Sequence, residues 1–370
     1  MKKITLQSYK DFKQYFSLLD VLIKDTSSNK DLFLEDIDIS PSSYRRAKNE
    51  GNKIGEIILK KLSKHFGYKT CSLNFINQIE DRINEIYYDI YYKDYTNYDI
   101  HLNWLDNMIS EKYIIFPIFK LFKLLMIINN KNNPRDVLKV NQVLYDEIKN
   151  YEKFYEQELL EILEILDVTF KQDIDDYFLS RTYINELTYH TLASRCSVLG
   201  RYLESIYFCE IAKEKYILDE NYKRVYYINL ILISNYNYLF KFDEAYLLTQ
   251  KQLHNLKALK EFGKEYEFTE LLQIIACLGL KKYDKVIELL YDKENVTLTE
   301  TISLLVALYY TNINKYKTIF TEFVLEMENS NSIQTLNLLN EILTTNNRKK
   351  INELGSQNIN KCLLEILKKM

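Results

Sequence analysis

The chain contains little glycine and proline. Its 370 residues include seven glycines and three prolines, far fewer than average usage would give. These two residues form most tight turns, which sheet proteins and loop-rich enzymes need in number. Successive helices can be joined with few of them, so the shortage predicts an all-α fold.

Long apolar runs and paired cysteines are also lacking. No apolar stretch reaches about 18 residues, so we expect no membrane-spanning helix. The first twelve residues have no apolar core like that of a signal peptide, and we expect a cytoplasmic protein. The five cysteines are scattered, without CxxC spacing, and are read as reduced residues in helix cores rather than disulfides or metal ligands. They are Cys71, Cys196, Cys209, Cys277 and Cys362.

Catalytic motifs are missing as well. The sequence has no GxGxxG, GxxxxGK[ST], HExxH or GxSxG. Its four histidines share no metal-ligand spacing with one another or with cysteine. The acidic run 156–164 fits a solvated helix face better than a pair of catalytic carboxylates. We therefore expect no enzyme, no cofactor and no bound metal.

The most informative stretch is residues 39–68. Ser40 can cap a helix N-terminus with its hydroxyl, and Pro41 suits the first helical position. Residues 41–49 then form a short helix that turns Tyr44 and Ala47 inward. A second amphipathic helix follows, with one predicted apolar face formed by Ile54, Ile57, Ile58, Leu62 and Phe66; Gly67 ends it.

Two further helices precede this stretch. Residues 8–24 place apolar side chains at helical spacing. Residues 30–37 predict a short second helix that buries Leu32, Phe33 and Ile37. The apolar positions of the first helix are Tyr9, Phe12, Phe16, Leu19 and Ile23.

Charge distinguishes the same stretch. Residues 41–69 contain eight Lys or Arg and two acidic residues, a formal charge of +6 in a chain whose total is −3. A basic patch on an acidic protein favours a module that contacts nucleic-acid phosphates; an ordinary solvated basic face is the alternative. The candidate DNA contacts are Ser42, Ser43, Arg45 and Arg46 toward bases or phosphates, and Lys48, Lys53, Lys60 and Lys61 toward the backbone.

A repeated turn occupies the C-terminal half. Residues 199–205, 239–245, 280–286 and 313–319 each carry an aromatic residue followed by two mostly polar residues and a small or apolar one. The aromatics, at intervals of 40, 41 and 33, are Tyr202, Phe242, Tyr283 and Tyr316. This spacing is typical of the turn between the helices of a tetratricopeptide unit. We expect each ring to pack between the two helices of its own hairpin.

Stacked helical hairpins form a superhelix whose concave face can bind an extended peptide. Asparagine suits that role because one amide can donate to and accept from a peptide backbone. Arg195 could pair with a peptide carboxylate. For each residue, an ordinary polar position on a helix surface is the alternative. The candidates are His190, Ser194, Arg195, Asn229, Ser234, Asn235, Asn237, Tyr238, Thr311 and Asn312; Ser197 lies beside them.

Together, the residues 40–51 and the four repeat turns resemble the RRNPP peptide-sensing regulators of Firmicutes and their phages, such as the Rgg-, PlcR- and PrgX-like proteins and the arbitrium receptors. The resemblance implies a helix-turn-helix DNA-binding domain (1–70), a bridging helix (71–96) and a right-handed superhelix of tetratricopeptide-like hairpins (97–370). It also implies a cytoplasmic homodimer whose binding to double-stranded DNA is controlled by a short signalling peptide. A protein-binding adaptor that never meets DNA is the other reading, since some relatives act on protein partners. Asp38 and Ile39 replace the glycine usual between the two motif helices.

Overall fold

The protein is described by a computed structural model covering residues 2–10, 14–50, 53–130, 134–171, 173–257, 263–294, 296–326, 330–345, 347–354 and 359–369. These residues form helices and no β-strand; an isolated parallel bridge joins Lys69 and Tyr113. The predicted all-α class is confirmed. None of the described helices combines the length and apolar character needed to cross a bilayer.

The chain divides into two compact units, one of residues 1–195 and 210–225, the other of residues 196–209 and 226–370. The dividing points fall inside helices α11, α12 and α13. The helices are α1 (Tyr15–Thr26), α2 (Lys30–Asp36), α3 (Pro41–Glu50), α4 (Lys53–His65), α5 (Leu73–Tyr92), α6 (Tyr98–Ser110), α7 (Phe116–Asn130), α8 (Pro134–Asn150), α9 (Gln157–Phe170), α10 (Asp176–Ser180), α11 (Glu186–Val198), α12 (Tyr202–Leu218), α13 (Tyr222–Tyr238), α14 (Phe242–Lys257), α15 (Gly263–Gly279), α16 (Tyr283–Leu290), α17 (Leu298–Thr311), α18 (Ile313–Glu326), α19 (Ser330–Thr345), α20 (Ile351–Leu354) and α21 (Lys361–Lys369). Short 3₁₀ turns lie at Gln7–Lys10, Glu152–Phe154 and Arg348–Lys350.

The first predicted helix is shorter than expected. Residues Gln7–Lys10 form a 3₁₀ turn and α1 begins at Tyr15, so the predicted start at residue 8 is wrong. Phe12 lies outside the described residues. The remaining predicted apolar positions are all buried: Tyr9, Phe16, Leu19 and Ile23.

Two apolar residues predicted to be inside are exposed. Leu32 is 57% and Ile57 66% accessible, whereas Leu34 and Leu59 are buried. Ile57 lies five residues before the fully buried Leu62, which is about 140° of helix rotation. It therefore faces away from the core that Leu62 enters.

Helix α5 carries a stripe of isoleucines at alternating spacings of three and four residues. All are buried within the first unit, which also contains α7 and the Gln7–Lys10 turn packed against this helix. Such a stripe forms one continuous helix face. This face is therefore used inside the unit. Its members are Ile76, Ile79, Ile83, Ile86 and Ile90.

Seven helix ends among the described residues share one closure. A residue with φ of 52–78° follows the helix. The next amide donates to the carbonyl five residues before it, at 2.7–2.8 Å. This is the Schellman arrangement, which glycine favours because it has no Cβ. The seven residues are Asp38, Gly67, Lys93, Gly200, Glu220, Phe240 and Lys281. Only two of the seven are glycines, so the chain closes most of these helices without using glycine.

Three of these closures form the predicted repeat turns of the second unit. Tyr202, Phe242 and Tyr283 each begin the helix that follows the turn. The small or apolar residue three positions later is fully buried in each case, as Ser205, Ala245 and Val286. The fourth turn differs, because α18 begins three residues before its aromatic residue, Tyr316.

The rings of the first three turns pack differently from the prediction. Tyr202 stacks on Tyr238 at 4.9 Å between ring centroids, and Tyr283 stacks on Tyr310 at 5.3 Å. Each partner lies near the end of the first helix of the next hairpin. The turn aromatics therefore connect consecutive hairpins, because the closure directs the ring forward along the chain.

Phe242 follows the same rule, with glycine as its partner. A Cβ atom added to Gly279 would lie 2.4 Å from the Phe242 ring. Real Cβ atoms do not approach carbon this closely. Gly279 is therefore required for contact between the helices rather than for a turn.

We expect Gly279→Ala to destabilise the protein by about 1–3 kcal/mol, because the added methyl group forces the Phe242 ring out of its site. Thermal or urea unfolding measures this change. In a Phe242→Ala background the same substitution should be neutral or slightly stabilising, since alanine has the better helix propensity. An equal cost in both backgrounds would contradict the steric explanation.

Candidate functional site

The outer face of α3 is exposed and polar. Tyr44 and Ala47 are fully buried, as predicted, while Ser42, Arg45 and Arg46 face solvent. The Ser43 amide donates to the Ser40 hydroxyl at 3.2 Å, so the predicted cap is confirmed. Ser40 Oγ also lies 2.8 Å from Ser43 Oγ.

The basic side chains proposed as DNA contacts form ion pairs with acidic side chains of the protein. Arg45 contacts Asp31 at 2.8 Å and Arg46 contacts Glu50 at 3.0 Å. Asp31, the partner of Arg45, belongs to α2, and α2 lies outside the range 41–69 over which the charge was counted. Half or more of each arginine side chain remains exposed, at 68% and 62%.

The lysines of α4 also contact acidic residues. Lys60 contacts Glu56 at 2.6 Å. Lys61 donates to the Asp38 carbonyl at 3.0 Å and lies 3.7 Å from its carboxylate. The side chain of Lys53 lies outside the described part of the chain. Each described basic candidate thus has an acidic neighbour, and the surface is less positive than its sequence indicates.

Lys48 belongs to a cluster around Asp20 of α1. Asp20 accepts from Lys48 at 2.5 Å, from the Tyr44 hydroxyl at 2.8 Å and from Lys30. Burial acts to raise the pKa of Asp20, but these three hydrogen bonds outweigh it and lower the pKa below the ordinary value. The cluster joins α1, α2 and α3, and so fixes the orientation of the exposed α3 face.

In the first unit, three candidate peptide contacts have distinct surroundings. Ser194 is exposed and His190 is half-buried. Burial lowers the pKa of His190 well below its usual value, and the positive charges of Arg224 and Lys93 lower it further, so the ring is neutral. Arg195 donates to the Lys171 carbonyl. Arg195 is thus engaged with the backbone of the segment after α9.

In the second unit, Asn235 is fully buried. Its amide donates to the Ser205 hydroxyl at 2.7 Å and its carbonyl accepts from the Ser197 hydroxyl at 2.7 Å. Both ends of the amide are therefore used within the protein. The prediction that Asn235 meets a peptide is corrected: this residue connects α13 to α11 and α12.

Asn237 is buried too, and its amide donates to the Leu272 carbonyl at 3.2 Å. Its position excludes it from an exposed binding face. Asn229, Ser234 and Tyr238 are half-buried on the same helix. Burial raises the pKa of Tyr238 to about 12, with smaller contributions from Cys362 and Tyr202.

The last two candidates serve the turn between α17 and α18. The Thr311 hydroxyl donates to the Ala307 carbonyl at 2.9 Å. The Asn312 side chain accepts from the Lys315 amide at 3.0 Å and caps α18. Both residues are exposed, although these local hydrogen bonds already explain their presence at a helix junction.

The sequence reading overlooked an asparagine that does bind an extended backbone. Asn84 of α5 accepts from the Ile4 amide at 2.9 Å and donates to the Ile4 carbonyl at 2.8 Å. The bound segment belongs to the chain itself. The available signal was the alternation of Ile4 and Leu6 with polar neighbours, which is the pattern of an extended segment buried on one side.

A second overlooked residue is Arg224, which is 3% exposed. It donates to the Tyr91 carbonyl at 3.0 Å and to the Ile90 carbonyl at 2.5 Å. A positive charge at a helix C-terminus interacts favourably with the negative end of the helix dipole. Arg224 therefore holds the start of α13 against the end of α5.

The described residues contain no group of three or more His, Cys, Asp or Glu side chains that could bind a metal ion. All five cysteines are free thiols. Comparison of the chain with protein-family models, curated protein sequences and solved structures found no match. No relative therefore assigns a role to any of these residues.

We expect Asp20→Asn to destabilise the protein at pH 7 by about 1–3 kcal/mol, because hydrogen bonds to a charged acceptor are lost. The contribution of Asp20 is complete above the ordinary aspartate pKa of about 3.9 and is lost as pH falls through its lower folded-state value. The difference from the wild type should therefore shrink below about pH 4. Urea unfolding at several pH values measures this, with exposed Asp25→Asn as the control; a difference independent of pH would contradict it.

We expect Asn235→Ala to cost about 1–3 kcal/mol of stability, because two buried serine hydroxyls lose their partner. The neighbouring Ser234→Ala is the matched control and should change stability by less than about 0.5 kcal/mol. Thermal unfolding of both variants makes the comparison. Equal stability of the two would show that Asn235 is not a structural residue.

Proposed function

We propose that the protein is a cytoplasmic transcriptional regulator. In this proposal α2 and α3 form a helix-turn-helix that places α3 in the major groove of double-stranded DNA. The observation that carries it is the ten-residue α3, anchored by Tyr44 and Ala47, with an outer face of serine and arginine. Asp38 supports it as well, because its φ of 53° supplies the left-handed turn between the two helices that glycine usually makes.

The acidic neighbours do not prevent DNA binding on energetic grounds. Exposed ion pairs typically contribute about 0–1 kcal/mol. The Arg45–Asp31 and Arg46–Glu50 pairs are of this exposed kind. A DNA phosphate or a guanine edge can replace the carboxylate at small cost, and specific base contacts then favour the correct site.

Control by a short linear peptide is the second part of the proposal. The stacked hairpins after α10 are taken as a right-handed tetratricopeptide-like superhelix, supported by the repeated turns at Tyr202, Phe242 and Tyr283. A homodimer would present two α3 helices to two half-sites. The peptide would act by binding one conformation of the protein more tightly than another.

A protein-binding adaptor is the second candidate function. One observation favours it: the described basic candidates of the α3 and α4 surface are paired with acids, as in the contacts of Lys48 with Asp20 and Lys60 with Glu56. Such pairing lowers the positive potential that attracts DNA. The two candidates differ in whether a duplex binds at all.

We expect Arg45→Ala with Arg46→Ala to weaken binding to the DNA flanking the protein's own gene by at least about tenfold, since one good bidentate base contact contributes about 1–3 kcal/mol. The plot of log K against log salt concentration should become shallower by about two, one for each lost charge. Fluorescence anisotropy at several salt concentrations measures both. Circular dichroism should show an unchanged fold, because both side chains are exposed.

Lys139→Ala with Lys251→Ala removes the same charge from exposed positions elsewhere and is the matched control. A further variant, Asp31→Asn, should strengthen binding, because it removes the competitor of Arg45. If neither the wild type nor Asp31→Asn prefers this DNA over a random duplex, the adaptor function is supported instead.

A further inference from the structure

Residues 2–6 belong to no helix or strand and are called here the N-terminal segment. Its side chains alternate between solvent and interior: Lys3 and Thr5 are exposed, whereas Ile4 and Leu6 are 2% and 0% accessible. This period of two is that of a β-strand. No strand among the described residues pairs with it, so its backbone hydrogen bonds must be satisfied in another way.

Side chains of α5 supply those hydrogen bonds. Asn84 binds the amide and carbonyl of Ile4 at 2.9 and 2.8 Å. Glu80, one turn earlier, accepts from the Leu6 amide at 2.8 Å. The three contacts address the backbone alone, so they fit any extended peptide except proline at these positions.

Side-chain contacts add selectivity. Lys2 lies 3.1 Å from Glu161 and 3.6 Å from Glu158, both on α9. The hydrogen bond to Glu161 raises the pKa of Lys2, so the ammonium is charged at neutral pH. Glu161 is itself 4% accessible. A nearly buried carboxylate needs a cationic partner, so this position favours lysine in whatever segment lies here.

The N-terminal segment fills its groove closely. The space left among Lys2, Ile4, Tyr87, Glu161 and Asn185 is about 10 Å³, which is at the limit for one water molecule. An open cavity of about 880 Å³ is lined by both Lys3 and Asn84. A bound peptide therefore has room beside the position that Lys3 occupies.

We propose that the groove formed by Glu80, Asn84, Glu158 and Glu161, called here the α5–α9 groove, is a binding site for an extended peptide. Its ligand carries a lysine, any residue, an apolar residue, any residue and a second apolar residue, and it enters by displacing the N-terminal segment. The proposal rests on peptide control as the proposed function and assigns it a site in the first unit. The two buried asparagines of α13 are not used.

Displacement follows from the kind of contact. The N-terminal segment and a free peptide compete for the same backbone hydrogen bonds, so the tethered segment acts as a competitor at a millimolar effective concentration. The apparent affinity of a free peptide equals its intrinsic affinity multiplied by the fraction of molecules in which the groove is empty. Weakening the segment should reveal the site.

The experiment uses an acetylated, C-terminally labelled peptide, Lys-Lys-Ile-Thr-Leu-Gln, which copies residues 2–7. Its binding to the full chain is measured by fluorescence anisotropy. We expect Ile4→Ser with Leu6→Ser to bind it at least about tenfold more tightly than the wild type, because the competitor no longer fits. Adding Asn84→Ala should reverse the gain by about tenfold, since two hydrogen bonds are lost.

A peptide with serine at both apolar positions is the matched control and should not bind. No binding of the copied peptide to the weakened variant at millimolar concentration overturns the proposal. So does binding that Asn84→Ala leaves unchanged, because the peptide would then lie elsewhere. If the wild type is a dimer and the Ile4→Ser, Leu6→Ser variant is a monomer, the groove holds the N-terminal segment of a second copy of the chain. That result would also overturn the proposal.

Hydrogen exchange of the wild type keeps the proposal testable if the weakened variant does not fold. Unlabelled peptide should accelerate exchange at the Ile4 and Leu6 amides as its concentration rises, while the Ile83 and Ile86 amides of α5 stay protected. Exchange that peptide does not alter would show that the segment never leaves its groove. None of these measurements involves DNA, so a failure of DNA binding leaves their outcome unaffected.

Discussion

The architecture depends on closing helices without glycine. Seven described helix ends use the Schellman closure, and at five of them the left-handed residue carries a side chain. Each such residue costs about 1–2 kcal/mol relative to a right-handed one. The closure forms a pair of backbone hydrogen bonds that satisfies the last carbonyls of the helix and fixes the direction of the next helix. Asp38 and Phe240 show that the same constraint acts in both units.

That direction decides what the following side chains contact. In the repeats the closure sends Tyr202 onto Tyr238, and Phe242 onto the surface left open by Gly279. In the first unit the closure at Asp38 brings α3 back across α1, where Tyr44 reaches Asp20. Packing at hairpin junctions and the presentation of the α3 face therefore follow from one local backbone conformation.

The asparagine side chains are used in different ways within the fold. An asparagine amide is the natural partner of an extended backbone, and the sequence offers many asparagines. The fold uses Asn235 to satisfy two serines in its interior and Asn84 to hold the backbone of Ile4. Which group an asparagine binds depends on how deeply it is buried and on which neighbouring donors and acceptors still need a partner. Neither can be read from the residue type.

The sequence by itself determined the helical class, three of the four repeat turns, the cap at Ser40 and the inward positions Tyr44 and Ala47, because each depends on composition or on spacing within one helix. Only the tertiary structure decided which face of a short helix is buried, as at Ile57, since that depends on what packs against it. It also decided that Asp31 lies beside Arg45. Contacts between residues far apart in the chain are set by how helix ends are closed and by which surfaces then meet, and a local pattern contains neither.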